Sequence, residues 1–296
     1  MSVGEGSSST IAERLERETQ YLPPSGRRVA RALLARYPAA GLDTVASLAH
    51  EANVSAPSVV RFITALGFDS FRDFQDVLRD ELGGRDASAL SQARAMPSRP
   101  GDPLAATKGA LVTGIEESLP SQMDGDFSTA VTLLADSTRR VATIGGDYSS
   151  GAAAHLVAQL APLRANVQLV NSSSLLAAAA VADIQKNDVW VLFDLRRYSP
   201  RIFDLANFAR ERGATILLVT DRWRSPIDRI CDVALVVRVE SAGASDTLVP
   251  ALALVEALSE AVERRRGEAA LERLTIVDRV RRGLDRLPGT DEDALR

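Results

Sequence analysis

With 296 residues, 46% of them hydrophobic and 25% charged, the chain is long enough for about two globular domains and too apolar for a disordered polymer. A formal net charge of −4 excludes a protein coated in basic surface, so any nucleic-acid contact has to be local. One cysteine, Cys231, excludes an intrachain disulfide and a cysteine zinc site; in its apolar, strand-like context it reads as a buried structural thiol.

Residues 1–9 read as a disordered tail without the apolar core of a signal peptide. No later stretch reaches the ~18 apolar residues of a membrane span, so a cytoplasmic protein is expected. Thr10–Gln20 and Ser25–Tyr37 read as two helices, the second ended by Pro38 and Gly41. From Asp43 to Phe68 the pattern is that of a helix-turn-helix. Val45, Leu48 and Ala49 fall at i, i+3, i+4; Asn53-Val54 breaks the pattern; Ser55 is placed as an N-cap with Pro57 in the first turn; and Val59, Phe62, Ile63 and Leu66 repeat the helical spacing before Gly67. The exposed remainder, Ser55, Ala56, Ser58, Arg61 and Thr64, with Pro57 in the first turn, suits a helix whose first turns enter a major groove, with Thr44 near the phosphates; an ordinary helical hairpin has the same apolar spacing. Ser70–Leu82 is a further helix, with Ser70 and Asp73 as a capping box.

Residues 83–103, rich in Gly, Ser, Ala, Arg and Pro, read as a linker. From Leu104 the character changes. After two helices, strand-like runs at 140–144, 166–170, 188–193, 215–219 and 233–237 alternate with helical segments, and long helices over 245–266 and 268–287 close the chain before a tail at 288–296. Apolar runs separated by helices indicate a parallel sheet covered on both faces. The expected fold class is therefore α + α/β: an all-helical helix-turn-helix domain over 10–82 and a doubly wound parallel-sheet domain over 104–287.

Ligands of an open parallel sheet bind at the carboxyl ends of its strands. Four loops qualify. Gly145–Gly151, with Ser149 and Ser150, fits either an anion held by backbone N–H groups or a tight serine-capped turn. Asn171–Ser174, including Ser172, fits ligand binding or simple helix capping. Asp194-Leu195-Arg196-Arg197-Tyr198-Ser199 places two guanidinium forks after a buried strand, as an anion site or as an Asp194–Arg salt-bridge cluster. Thr220-Asp221 with Ser225-Pro226 is the fourth, and it equally suits the start of a short helix. Catalysis finds little material. The two histidines, His50 and His155, lie in separate domains, neither phosphate-loop nor dinucleotide fingerprint occurs, and no metal site or cofactor is expected. A general base among Asp147, Asp194 and Asp221 is the weak exception.

The run LAHEANVSAPSVVRFITALGFDSFRDFQ, followed by GGDYSSG and GATILLVTDRWRSPIDRICDVAL, resembles the RpiR family of bacterial transcriptional regulators. The resemblance extends over nearly the whole chain from about Thr10 and is closest between Val54 and Phe74. It implies a C-terminal sugar isomerase (SIS) domain, which in this family usually senses phosphosugars and pairs as a dimer. Gly145 and Ser149 match the first SIS loop, with Asp147 in place of its usual second glycine, and Thr220, Ser225 and Pro226 match a later T…S-P pattern. The central S-x-S-G-x-T loop is replaced by Asp194–Ser199, of which only Ser199 is a comparable hydroxyl. The resemblance also implies a non-enzymatic regulator that binds double-stranded DNA at a pseudo-palindromic operator, forms a homodimer or higher homo-oligomer, and answers to a small anionic metabolite. A SIS-type phosphosugar isomerase or lyase, and a regulator with a purely dimerising second domain, are the alternatives.

Overall fold

The computed structural model describes residues 10–86, 89–95, 101–119, 125–170 and 173–284. Two units cluster separately: Met1–Gly101 with two short later segments, and Asp102–Asp221, Ser225–Ala242 and Asp246–Arg296.

In the first unit, helices α1 (Ile11–Glu18), α2 (Pro24–Ala35), α3 (Ala39–Leu42), α4 (Val45–Glu51), α5 (Ala56–Ala65) and α6 (Phe71–Asp86) surround one core containing Leu15, Leu33, Leu48, Phe62, Ile63 and Phe74. The turn between α4 and α5 is built by local rules. The N–H of Val54 donates to Ala49 O at 2.9 Å and that of Asn53 to His50 O at 3.0 Å, the paired bonds of a Schellman cap. Asn53 supplies the left-handed residue such a cap needs, at φ +50°. Helix α5 ends in the same way, with Gly67 at φ +85°. The amide of Gln75, on α6, donates to the carbonyls of Gly41, Leu42 and Asp43 at 2.9–3.2 Å, fixing the approach to α4.

Two local expectations need correction. Ser55 occupies the N-cap position but makes no capping bond; its hydroxyl pairs with that of Ser58 instead. Ser70 does accept the Asp73 N–H, at 3.1 Å, while its own hydroxyl donates to the Asp73 carboxylate. The expected linker 83–103 is described only in part, and its described residues include the end of α6 and a further helix. Helix α6 runs through Gly83 and Gly84, because each glycine costs a helix only ~1 kcal/mol, and Ala89–Ala95 forms α7 from good helix formers.

In the second unit, α8 (Pro103–Ser118) and α9 (Asp126–Ala135) lead into strands β1 (Val141–Gly145), β2 (Val167–Leu169), β3 (Val189–Asp194), β4 (Thr215–Asp221) and β5 (Val233–Val237). All pairings are parallel and the order is β2-β1-β3-β4-β5. Between the strands lie α10 (Ser150–Leu160), α11 (Ser174–Ala182) and α12 (Pro200–Glu211), and α13 (Val249–Arg266) and α14 (Glu268–Leu284) close the unit. Every residue of β3 is buried, as a central strand of a two-sided sheet requires, whereas β2 is an edge strand with exposed Gln168 and Leu169. Trp190, Leu192, Ile216 and Leu218 pack on one face with Ile202, Leu205, Ala206 and Ala209 of α12. Arg164 caps the carbonyls of Leu134, Arg139 and Ala165; burial and the neighbouring Arg266 hold its guanidinium down at about 10. Cys231 lies in the turn before β5 rather than in a strand, and is half-buried. Among the described residues no helix is long and apolar enough to cross a membrane.

Candidate functional site

On the helix-turn-helix, Ser55, Ala56, Pro57 and Arg61 are exposed and Ser58 is half-buried, because Val59, Phe62, Ile63 and Leu66 claim the opposite face of α5. Three of the polar side chains form one linked row. The Ser55 and Ser58 hydroxyls are 2.9 Å apart, and an Arg61 Nη donates to Ser58 Oγ at 3.0 Å. Thr44 caps α4, accepting the Ser47 N–H at 3.1 Å, and is exposed at the amino end of that helix.

In the sheet, the order reverses between β1 and β3, so the loops after these strands flank the crevice where open α/β sheets bind ligands. At Gly145 a β-carbon would lie 2.6 Å from the Ser149 backbone, so only glycine allows this turn. Buried Ser149 donates to Phe193 O at 2.6 Å and accepts the Gly146 N–H at 3.0 Å, tying the β1 loop to the end of β3. Its hydroxyl is thus engaged by backbone. Ser150 is exposed, donating to Asp147 O at 3.2 Å. Ser172 lies outside the described residues.

The expected Asp194–Arg cluster is assembled differently. The Asp194 carboxylate accepts the Ser199 N–H at 3.2 Å and the Ser225 hydroxyl, while Thr220 Oγ1 donates to its carbonyl at 3.0 Å. Asp221 accepts the Arg196 N–H and the Tyr198 hydroxyl. Arg196, at φ +64°, turns its guanidinium to Asp246, Nε to Oδ1 at 3.2 Å, and Arg197 meets the other oxygen of Asp246 at 3.4 Å. The side chains of Arg196 and Asp246 are 8% and 3% exposed and that of Arg197 is 43% exposed, so one arginine is committed to the interior and the other reaches solvent. The Tyr148 hydroxyl donates to Asp246 O, drawing the first loop over the same point. The loops thus bring Gly145, Ser149, Asp194, Arg196, Arg197, Ser199 and Thr220 to the carboxyl end of the sheet and leave Ser150 outside the bonded cluster.

Burial, and then the Asp246 charge, push the Tyr148 phenol above its ordinary value of 10.0. The folded state therefore holds this proton more tightly than the unfolded chain, so its contribution is complete below pH 10 and declines above it. Tyr148→Phe should lower stability below pH 10 yet flatten that alkaline decline, as read by unfolding midpoints between pH 8 and pH 11.

Residues 9–84 match the helix-turn-helix domain of the rpiR family, and residues 133–261 match the SIS domain. The chain belongs to the RpiR family. Among curated proteins, this RpiR-family chain is 27% identical over 293 residues to the bifunctional protein glk of Paraburkholderia xenovorans, covering 95% of this chain and 44% of that protein. It is 26% identical over 236 residues to the transcriptional regulator HexR of Escherichia coli, covering 77% of this chain and 78% of HexR. Similar solved structures include the sugar isomerase domain of an RpiR transcription factor from Sphaerobacter thermophilus, with TM-score 0.56 and 23% identity over 60% of this chain and 98% of that one. Vibrio vulnificus NanR, complexed with ManNAc-6P, gives TM-score 0.54 and 19% identity over 93% of this chain and 99% of that one. These likenesses establish the SIS fold of the RpiR chain's second unit.

Residue-pattern reasoning missed Asp246, the shared partner of both arginines, and Tyr148 and Tyr198, which tie the loops. Asp246 sits in the motif-free stretch SAGASDT, where only proximity in the fold reveals its role. Among the described residues no cluster of three His, Cys, Asp or Glu is placed to hold a metal ion.

Proposed function

We propose that the chain is a DNA-binding transcriptional regulator acting in the cytoplasm. In this reading α5 reads a pseudo-palindromic operator through Ser55, Ala56, Pro57, Ser58 and Arg61, with Thr44 at the phosphates. The SIS domain pairs two copies and answers to a small anionic metabolite of the phosphosugar class without turning it over. The observation that carries it is the bonded Ser55–Ser58–Arg61 row, with Ser55 and Arg61 exposed, on the second helix of an RpiR-type helix-turn-helix. Dimer geometry would set the half-site spacing, and effector binding would act by changing the placement of the two reading heads. The anion would be held near Arg197, with Gly145, Ser149, Ser150, Ser172, Asp194, Arg196, Ser199 and Thr220 around it. ManNAc-6P in NanR, a protein of similar fold, is consistent with that ligand class.

A second reading, a SIS domain that only dimerises, is favoured by the engagement of both Arg196 and Arg197 with Asp246. Thermal-shift titration with hexose and pentose phosphates separates the two. The sensing reading expects a saturable rise in Tm with at least one of them, about 2.7 kcal/mol of stabilisation at 100 times Kd, reduced in Arg197→Ala. No shift with any compound leaves the passive dimer. Turnover of any of these phosphates would instead support a SIS-type isomerase or lyase.

A further inference from the structure

Helix α14 is long but poorly covered by its own chain. Of its seventeen residues, Glu268–Leu284, only Ala270 is buried. Its first half is held by Arg273, whose Nε donates to Ala161 O at 2.9 Å. In the second half Ile276, Val280 and Leu284 follow at i, i+4 and i+8 on one face, 54%, 54% and 80% exposed, with half-buried Val277 beside them. Apolar side chains exposed in a row at helical spacing mark a contact surface.

The charges on the same helix indicate what covers it. Glu268, Glu272 and Arg273 leave the first turns net negative, while Asp278, ion-paired with Arg282 within the helix, and Arg279 and Arg281 leave the last turns net positive. A copy of α14 laid alongside in the same direction would set acid against acid and base against base. Laid antiparallel, it sets each acidic end beside a basic end.

We propose that two copies of this chain pair through α14, antiparallel about a two-fold axis beside Ile276 and Val277. In that register Ile276 of one copy meets Val277 of the other, and Glu272 lies beside Arg279, which shares its flank of the helix. The Arg273 stem lies against Val280 while its head group stays on the Ala161 carbonyl. The contact is isologous, so it closes at two copies instead of propagating. This pairing builds on the homo-oligomer part of the functional proposal and assigns it a surface; it is independent of what the SIS domain senses.

Sedimentation of the full chain across a concentration series tests it. The wild type should sediment as a dimer or a multiple of one. Ile276→Asp combined with Val280→Asp should weaken the association at least tenfold, with far-ultraviolet circular dichroism unchanged. Glu272→Arg alone should also weaken it, and adding Arg279→Glu should restore it, because the swap re-forms the pair with reversed sign and leaves helix propensity nearly constant. A wild type at the mass of a single chain at every concentration would overturn both the pairing and the homo-oligomer reading. A wild-type oligomer indifferent to both sets of variants would overturn only the assignment to α14, leaving that face to a different partner.

Discussion

Asp194→Ala should destabilise the second unit by about 2–6 kcal/mol, the cost of leaving the buried Ser225 hydroxyl and the half-buried Ser199 N–H without their acceptor at about 1–3 kcal/mol each. The carboxylate is 2% exposed and takes the Ser199 N–H and the Ser225 hydroxyl, so it joins the loop after its own strand to the loop after β4. Asp194→Asn keeps one acceptor oxygen and should cost less than the alanine variant. Urea titration in a Trp223→Phe background, followed by the fluorescence of Trp190, buried four residues earlier in β3, reads the effect as a shift of midpoint at constant m-value. A loss below 1 kcal/mol in Asp194→Ala would mean that these donors find other partners and that the loops do not depend on the carboxylate.

The second large effect is expected on DNA. Arg61→Ala should weaken operator binding by about 1–3 kcal/mol, roughly fivefold to more than a hundredfold, if its guanidinium reads a base edge. It should leave folding intact, because Arg61 is exposed and its guanidinium bonds Ser58 Oγ within the same helix. A lysine at this position keeps the charge but loses the bidentate fork, so Arg61→Lys separates base reading from phosphate contact: full recovery points to a phosphate. Between residues 1 and 90, ten arginines face twelve acids, and lysine is absent. One copy of this unit therefore has little general attraction for phosphates, and useful affinity would depend on two linked copies. An operator affinity that survived disruption of the α14 contact would contradict that dependence.

The helical unit was legible in the sequence because its features are local. The spacing of Leu48, Val59, Phe62 and Ile63, the proline at 57 and the left-handed stop at Gly67 each act within one or two turns. The short α3 escaped notice because Pro38 and Gly41 read as breakers, and α6 outran its expected end because Gly83 and Gly84 weaken a helix without forbidding it. In the sheet, the apolar runs marked the strands to within a residue or two, but alternation carries no information about lateral order. The reversal between β1 and β3 appears only when the strands are paired.

The candidate site divides in the same way. Gly145 and Ser149 announce a tight turn before a helix, and the turn is there. The two arginines announce an anion, yet the anion that meets them is Asp246, about fifty residues further along and in a stretch without periodicity. The same holds for Asp221, which a strand-end reading offers as a general base and which instead accepts the Arg196 N–H and the Tyr198 hydroxyl. Carboxylates at strand ends look alike in sequence whether they hold a loop or face a ligand.

The central claim, that this chain recognises specific DNA through α5, is tested most directly by capturing fragments of its own genome with the purified full-length protein at physiological salt and sequencing what is retained. The account predicts a small set of enriched sites sharing a pseudo-palindrome with half-sites about one helical turn, or a multiple of it, apart, and their loss in Arg61→Ala. Retention of no fragment above background, or enrichment unchanged by Arg61→Ala, would contradict it.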